Sequence, residues 1–305
     1  MSTLPVSIVM CSRNRPALLH DTIRSVLATP PLPAELVVVD QGDEPDPVVA
    51  AMGTVDGCRV VHVPSTTRGL SRARNLGLRA ASHPVVVLLD DDMLVEPGWL
   101  EPLVTAVAGA PGTVATGRVL AAPPEAGAAA LPPAALVAHE EPAVARGPQP
   151  RDVMPGANVA VHRDEVLALG GYDERLGAGT RFGAADDNDM GHRLLLAGAT
   201  VRHEPRSVVL HRAWRPEAEL RRLRWAYGRG KGAFYAKHLQ LRDRWIARRL
   251  ARDLARRAKR AVTALPRAPR TTAAELFTIA AILAGVGEWL VRERAGEGPR
   301  ARAAA

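Results

Sequence analysis

The chain has only two cysteines, Cys11 and Cys58, in 305 residues. Two thiols so far apart make neither a zinc site nor a disulfide framework. Lysine is almost missing: Lys231, Lys237 and Lys259 stand against 37 arginines. Alongside abundant alanine, that bias fits a GC-rich coding sequence rather than selection for guanidinium chemistry. The longest apolar run near the C-terminus, residues 276–287, stops at Glu288. A helix needs about 20 apolar residues to span a bilayer, so this run is too short to cross alone. The N-terminus reaches Cys11 and Arg13 after one short apolar run, and no signal peptide is visible. The expected location is therefore cytoplasmic, with contact to the inner face of the cell membrane left open. Internal repeats are also lacking.

What is present is ordinary globular composition, 47% hydrophobic and 24% charged, which excludes disorder and collagen. The length suits one large α/β domain or two smaller ones. The net charge of +8 conceals a division. Residues 1–211 carry 17 basic and 24 acidic side chains, whereas residues 212–270 carry 19 basic and 4 acidic. An acidic body bears a basic tail, and the two have different jobs.

Unbroken apolar runs at 6–10, 35–39, 59–63 and 85–89 read as buried strands. Helical spacing separates them: one helix opened by Pro16, one over 71–80 and one over about 97–108, followed by a strand near 113–119. Such alternation predicts a parallel sheet covered on both faces. Residues 121–150 hold seven prolines and read as an exposed connection. Beyond them come a helix over 164–169, a glycine-rich stretch over 170–183, a helix from the acidic cluster 186–189 through Leu196, and strand-like 200–203 and 208–210 leading to His211. Residues 217–260 read as one or two long basic helices, with Leu239, Ile246, Leu250 and Leu254 on one face. Residues 275–292 form a last apolar helix.

In doubly covered sheets, ligands gather beyond the carboxyl ends of the strands. Two strands here end in carboxylates, Asp40 and the triplet Asp90, Asp91 and Asp92. Three adjacent carboxylates are costly to ionise together, and Mg²⁺ or Mn²⁺ is the usual solution. Strand alternation sets Asp90 and Asp92 on one side and Asp91 on the other. Asp92 is thus the first choice of metal ligand, with Asp90 assisting or contacting the ribose. Taken alone, the triplet is equally a solvated turn capping the next helix. Asp186, Asp187 and Asp189 equally suit a helix N-terminus.

The motifs together resemble a known family. Val6-Ser-Ile-Val-Met-Cys-Ser-Arg-Asn-Arg-Pro16, Glu35-Leu-Val-Val-Val-Asp40 and Arg68-Gly-Leu-Ser-Arg-Ala-Arg-Asn-Leu-Gly77 are similar to the nucleotide-binding half of a family 2 glycosyltransferase. Leu88-Leu-Asp-Asp-Asp-Met93 resembles its acidic metal motif. Pro155-Gly-Ala-Asn158, Gly170-Gly-Tyr-Asp-Glu174, Gly177-Ala-Gly-Thr180 and Ala185-Asp-Asp-Asn-Asp189 resemble its acceptor-side segments, in order. Cys11 and Arg13 depart from the common Thr or Pro and aromatic residue, and Asp186 replaces the usual Glu. Arg221-Arg-Leu-Arg-Trp225 lacks the Gln of the processive synthases' motif.

The resemblance implies an α/β GT-A fold, a Rossmann-like nucleotide-binding sheet fused to an acceptor-binding half, with a C-terminal helical extension. The implied division is a catalytic domain over 1–211 (nucleotide half about 1–120, connection 121–150, acceptor half 151–211) and a basic helical region over 212–305. It implies inverting transfer of a single sugar, by one displacement, from a nucleotide-sugar, with a UDP- or dTDP-sugar favoured, to a glycan or lipid-linked acceptor. Carried over by residue, Asp40 contacts uracil or ribose and Arg74 lies beside the nucleotide. Asp90 and Asp92 hold the metal and diphosphate, and His211 completes the metal site. Asp187 is the general base, with Asp186 able to share the role, and Gly156, Ala157 and Asn158 line the sugar and acceptor cleft. An Asp near its ordinary pKa of about 3.9 is already ionised at neutral pH. The alternative is a catalytically silent GT-A domain serving as a membrane-associated sugar-nucleotide or glycan-binding module. For the basic region, an anionic membrane surface through 212–292 and packing on the catalytic domain weigh equally; nucleic acid is not expected.

Overall fold

The structure is a computed structural model that describes residues 3–125, 136–212 and 214–294. Its first half alternates strand and helix: β1 (Thr3–Ser12), α1 (Pro16–Leu27), β2 (Leu32–Asp40), α2 (Pro47–Ala51), β3 (Thr54–Val55), β4 (Cys58–Pro64), α3 (Leu70–Ala80) and β5 (Val85–Asp90). Strands β4, β2, β1 and β5 lie side by side and parallel. Their apolar runs are unbroken because both faces are covered. Ile8, Met10, Leu36, Val38, Val87 and Leu89 pack on one side with Leu19 and Ile23 of α1. Val9, Val37, Val39, Val86 and Leu88 pack on the other with Ala73 and Leu78 of α3. Contact on that second side is close: a Cβ added to Gly77 would lie 2.3 Å from Val9 Cγ1.

The second half comprises β6 (Met93–Val95), α4 (Leu100–Val107), β7 (Thr113–Ala121), β8 (Ala143–Arg146), β9 (Val159–His162), α5 (Arg163–Ala168), α6 (Asp186–Leu196) and β10 (Thr200–His211). The sheet runs β3-β4-β2-β1-β5-β9-β7-β10-β6, with β8 also on β10. It is not all parallel, as the alternation had suggested. β9 runs antiparallel to both β5 and β7, and β6 antiparallel to β10. The two expected segments at 200–203 and 208–210 are one strand with a register shift between His203 and Val208. Of the proline-rich connection, residues 126–135 lie outside the described residues; Ala143–Arg146 forms β8.

Asn158 enters β9 with φ of 57° and no exposure. Its Nδ2 donates to the carbonyls of Arg118 (2.9 Å) and Ser207 (3.2 Å), and its Oδ1 accepts from Ser207 Oγ at 3.1 Å. This side chain pins the β9 entrance to β7 and β10 and does not line a cleft, contrary to the expectation from sequence.

The chain divides into two compact units, Met1–Glu174 with Asp186–Glu217, and Arg175–Ala185 with Ala218–Ala305. A cut at residue 211 would miss that Arg175–Ala185 belongs with the helices, where Leu176 and Phe182 pack with Trp289. That helical unit contains α7 (Glu217–Gln240), α8 (Arg244–Ala264) and α9 (Pro269–Arg294); residues 295–305 lie outside the described residues. Helix α9 corrects the reading of 275–292. Pro269 opens the helix instead of breaking it, adding Thr271, Thr272, Ala273 and Ala274. The resulting 24-residue stretch contains an 18-residue window of mean hydropathy 1.6 and is, by length and composition, long and apolar enough to cross a membrane.

Replacing Asn158 with Ala should lower stability by about 2–4 kcal/mol, because two carbonyls and one hydroxyl lose their partner inside the sheet. Urea unfolding monitored by circular dichroism measures this; a loss below about 0.5 kcal/mol would assign the pin elsewhere.

Candidate active site

Three parallel strands end level with one another. The register sets Ser12 of β1 beside Asp40 of β2, and Cys11 beside Asp90 of β5. Beyond Asp90 the chain turns through Asp91 and Asp92 into β6, whose antiparallel pairing with β10 puts Met93 opposite His211. That pairing delivers His211 from 119 residues further along the chain to Asp92, with Nε2 3.3 Å from Oδ1.

The three adjacent carboxylates have different surroundings. Asp91 turns away as alternation predicts: it is fully buried, accepts from Ser12 Oγ at 2.5 Å and pairs with Arg15. Burial pushes its carboxyl up to about 7, with Asp92 adding to the rise and Arg15 opposing it. For Asp92 burial works upward too, but the hydrogen bond and charge of His211, aided by Arg15 and Arg215, bring it down to about 2. Arg15 Nη1 donates to Asp92 Oδ2 at 3.0 Å. Asp90, whose side chain is 30% exposed, is raised by desolvation and opposed chiefly by Arg74.

Arg74 is the centre of a second cluster. With 3% of its side chain exposed, it donates Nη1 to Asp186 Oδ2 at 2.6 Å and Nη2 to Asp90 Oδ1 at 3.1 Å. The same Nη2 bonds the Gly156 carbonyl, and the guanidinium lies 5.3 Å from the Tyr172 ring. Opposing charges on Asp186 and Asp90 outweigh its desolvation and hold it protonated. Asn75, next on α3, clamps the Tyr172 backbone at both ends, by 2.9 and 2.7 Å bonds. Gly171 is required there: φ is 71°, and a Cβ would come 2.5 Å from Asn75 Oδ1.

Asp186 and Asp187 open α6, after Ala185 in the left-handed region at φ 71°. The two carboxylates part company. Asp186 is buried and consumed by Arg74, whereas Asp187 is half-buried and hydrogen-bonded to the Asn188 amide at 2.8 Å. Burial, then the charges of Asp186 and Asp152, raise the Asp187 carboxyl to about 7 against Arg74. The ordinary carboxylate value expected from sequence does not hold. A Cβ at position 156 would lie 3.7 Å from Asp187 Oδ2 and 3.4 Å from Arg74 Nη2. Gly156 thus stands in van der Waals reach of both Asp187 and Arg74.

The structure brings Arg74, Asp90, Asp186, Asp187 and Gly156 into one cluster, and Asp92 and His211 into an adjoining one. Asp40 stands at the same sheet edge, but its carboxylate is taken up by its own loop, accepting from the amides of Gly42 (2.8 Å) and Asp46 (2.7 Å) and meeting His62 at 3.2 Å. Arg74, expected beside the nucleotide, gives its donors to the protein. Sequence reasoning missed Arg15, Ser12 and Asn75. The position of Arg15, just past the end of β1 and before Pro16, was the available signal. Burial pushes the Cys11 thiol up to about 12.

A Rossmann-like parallel sheet joined through antiparallel β9 to a second half, with carboxylates at the strand ends, defines the GT-A class of glycosyltransferase. Solved structures of that fold agree. A mannosyltransferase from Pyrobaculum calidifontis in complex with GDP-Man and Mn²⁺ superposes with TM-score 0.58 at 20% identity, covering 94% of this chain and 88% of that one. GalNAc-T7 with UDP, GalNAc and Mn²⁺ gives 0.57 at 21% identity, covering 77% and 50%. Residues 7–157 match the model described as glycosyl transferase family 2. Among curated proteins it is 33% identical over 181 residues to the glucosyl-dolichyl phosphate glucuronosyltransferase of Haloferax volcanii, covering 57% of this chain and 58% of that protein. It is 29% identical over 218 residues to the pre-mycofactocin glycosyltransferase of Mycobacterium tuberculosis, covering 68% and 42%. The matches thus span about half the length of these relatives.

Arg74→Met should destabilise the protein by about 3–5 kcal/mol at neutral pH, since Asp186 and Asp90 lose their compensating cation. The deficit should shrink towards pH 4 as Asp90, whose carboxyl desolvation already raises, takes up a proton and needs less counter-charge. Denaturant titrations at both pH values check this, and a pH-independent deficit would assign the loss to packing.

Proposed function

We propose that the protein transfers a single sugar, with inversion, from a nucleotide-sugar to an acceptor hydroxyl on a glycan or lipid-linked acceptor. The observation that carries this reading is the division of labour at the head of α6: Asp186 is paired with Arg74, whereas Asp187 is half-buried beside the Gly156 backbone and bonded to the Asn188 amide. A UDP- or dTDP-sugar is the favoured donor, and cell-surface glycan or glycoconjugate synthesis at the inner face of the membrane is the setting. The Haloferax relative, whose name specifies a dolichyl phosphate, supports the lipid-linked acceptor.

Asp187 acts as the general base. It takes the acceptor hydroxyl proton as that oxygen attacks the anomeric carbon, and the bond from that carbon to the diphosphate oxygen breaks. Its raised pKa suits the task, because a base matched to the operating pH removes a proton most effectively. Arg74 and Asp186 are positioning residues that fix the Gly156 backbone and the start of α6. Asp90, Asp92 and His211 are the residues that would hold a divalent cation: carboxylate oxygens and an imidazole suit such an ion, and His211 already meets Asp92 at 3.3 Å. Mg²⁺ or Mn²⁺ bound there would supply Lewis-acid stabilisation of the leaving diphosphate. Arg15, 37% exposed and already in this cluster, adds a second cation for a phosphate.

Asp187→Asn should lower kcat by about 10²–10⁴ while leaving the donor KM unchanged. In the wild type the proton must be off Asp187, so the rate should climb as pH rises towards 7 and level above it. The variant should lose that limb. Full activity in Asp187→Asn would overturn the base assignment. Asp92→Ala should weaken Mn²⁺ binding, read by electron paramagnetic resonance on the protein without acceptor; unchanged binding would remove Asp92 from the metal site.

A further inference from the structure

The helical unit presents two unlike surfaces on neighbouring helices. On α8, Arg244, Arg248, Arg252, Arg256 and Lys259 recur at successive turns, and all are exposed. The one acid of that helix, Asp253, turns inward, where Tyr235 Oη donates to it at 3.2 Å and Arg256 and Arg257 pair with it. On α9, Ala273, Leu276, Ala280, Leu283, Ala284, Gly287 and Val291 form an exposed stripe without a charge. Leu276, Leu283 and Val291 are 54%, 52% and 68% exposed, and Val262 and Leu265 at the C-terminal end of α8 are exposed as well.

The two surfaces lie together. The helices are joined by Thr272 Oγ1 donating to the Ala261 carbonyl at 2.9 Å and by the Arg257–Glu275 pair at 3.0 Å. Both turn their inner faces to α7, Asp253 towards Tyr235 and Ala281 towards Gly228, so both outer faces look away from it.

By length α9 could cross a bilayer, but its charges are committed elsewhere. Glu275 pairs with Arg257 and Arg260, and Glu288 with Arg181 and Arg229. Its backbone also touches that of α7: a Cβ on Gly232 would lie 2.0 Å from the Ile282 carbonyl oxygen. Crossing would strip these ion pairs into hydrocarbon, at high cost.

We propose that the helical unit docks side-on on an anionic membrane surface, with the α9 stripe in the headgroup–acyl boundary and the α8 cations on the lipid headgroups. Charge complementarity selects this occupant. A basic row beside an apolar row matches an anionic lipid surface, which offers both environments at adjoining depths, whereas nucleic acid uses only the first. The inference deepens the proposed lipid-linked acceptor and rests on it for purpose alone.

Flotation of the full chain with phosphatidylcholine vesicles, with and without phosphatidylglycerol, tests the proposal. Binding should require the anionic lipid, weaken at high salt and be released by alkaline carbonate. Replacing Arg248, Arg252 and Lys259 with Gln should cut partition by on the order of a hundredfold, about fivefold per cation removed. Leu276→Ser with Leu283→Ser should weaken binding while far-UV circular dichroism confirms intact helices. Asp187→Asn should float like the wild type, which separates this surface from the catalytic assignment. Equal binding to neutral vesicles, no flotation, resistance to carbonate, self-association through α9 without lipid binding, or displacement of the protein from vesicles onto duplex DNA would each overturn it.

Discussion

A single buried guanidinium holds the catalytic unit's geometry. Arg74 reaches from α3 to the end of β5 at Asp90, to the backbone before β9 at Gly156 and to the head of α6 at Asp186. Removing that charge from water is costly, and only multiple hydrogen bonds and two opposing charges offset it. Lysine would carry the same charge but not the planar donor geometry that meets three acceptors at once. The fold therefore needs arginine here for a reason unrelated to codon usage. Three segments distant in sequence are fixed by the one group that all of them help to neutralise.

The same constraint distributes roles among chemically identical side chains. Asp90, Asp186 and Asp187 share one cluster, yet Arg74 bonds only the first two, and Asp187 is left with burial and the charges of Asp186 and Asp152, which raise its pKa to about 7. Asp92 and Asp91 separate similarly. His211, Arg15 and Arg215 draw Asp92 down, while Asp91, in the turn's interior, is raised. Environments that push like groups apart are how one site can hold both cation-binding and proton-accepting carboxylates.

Much of this was legible in the sequence, for physical reasons that differ by element. Strands buried on both faces show unbroken apolar runs, so β1, β2, β4 and β5 announce themselves and mark where their terminal carboxylates stand. Strand alternation likewise forecasts that Asp91 faces away from Asp90 and Asp92. The direction of β9 leaves no such trace, because a short Val-Ala-Val run reads the same either way. The pinning role of Asn158 and the loop contacts of Asp40 share one reason for being illegible: a polar side chain's partners show only once the chain is folded. Asn158 spends its amide on Arg118 and Ser207, and Asp40 its carboxylate on the Gly42 and Asp46 amides. Arg15 was missed because its partners are 76 and 77 residues away and only the folded sheet edge joins them.

The division of charge along the chain follows from where compensation occurs. Arg15, Arg74, His211 and Arg215 all belong to the catalytic unit, and they are the cations that act on its central carboxylates. The acidic body thus settles its buried charge locally, over distances of about 3 Å, where direct hydrogen bonds make pairing strong. In the helical unit the buried Asp253 and the half-buried Glu275 and Glu288 are likewise met by inward or neighbouring arginines. What is left is the exposed row on α8, of which Arg256 also reaches back to Asp253. Codon bias explains why those cations are arginine rather than lysine. It does not explain why they fall in register on one face, beside the apolar stripe of α9. That register is a property of the fold, and a surface built from two adjoining rows of opposite polarity has its energetic match at a boundary between charge and hydrocarbon.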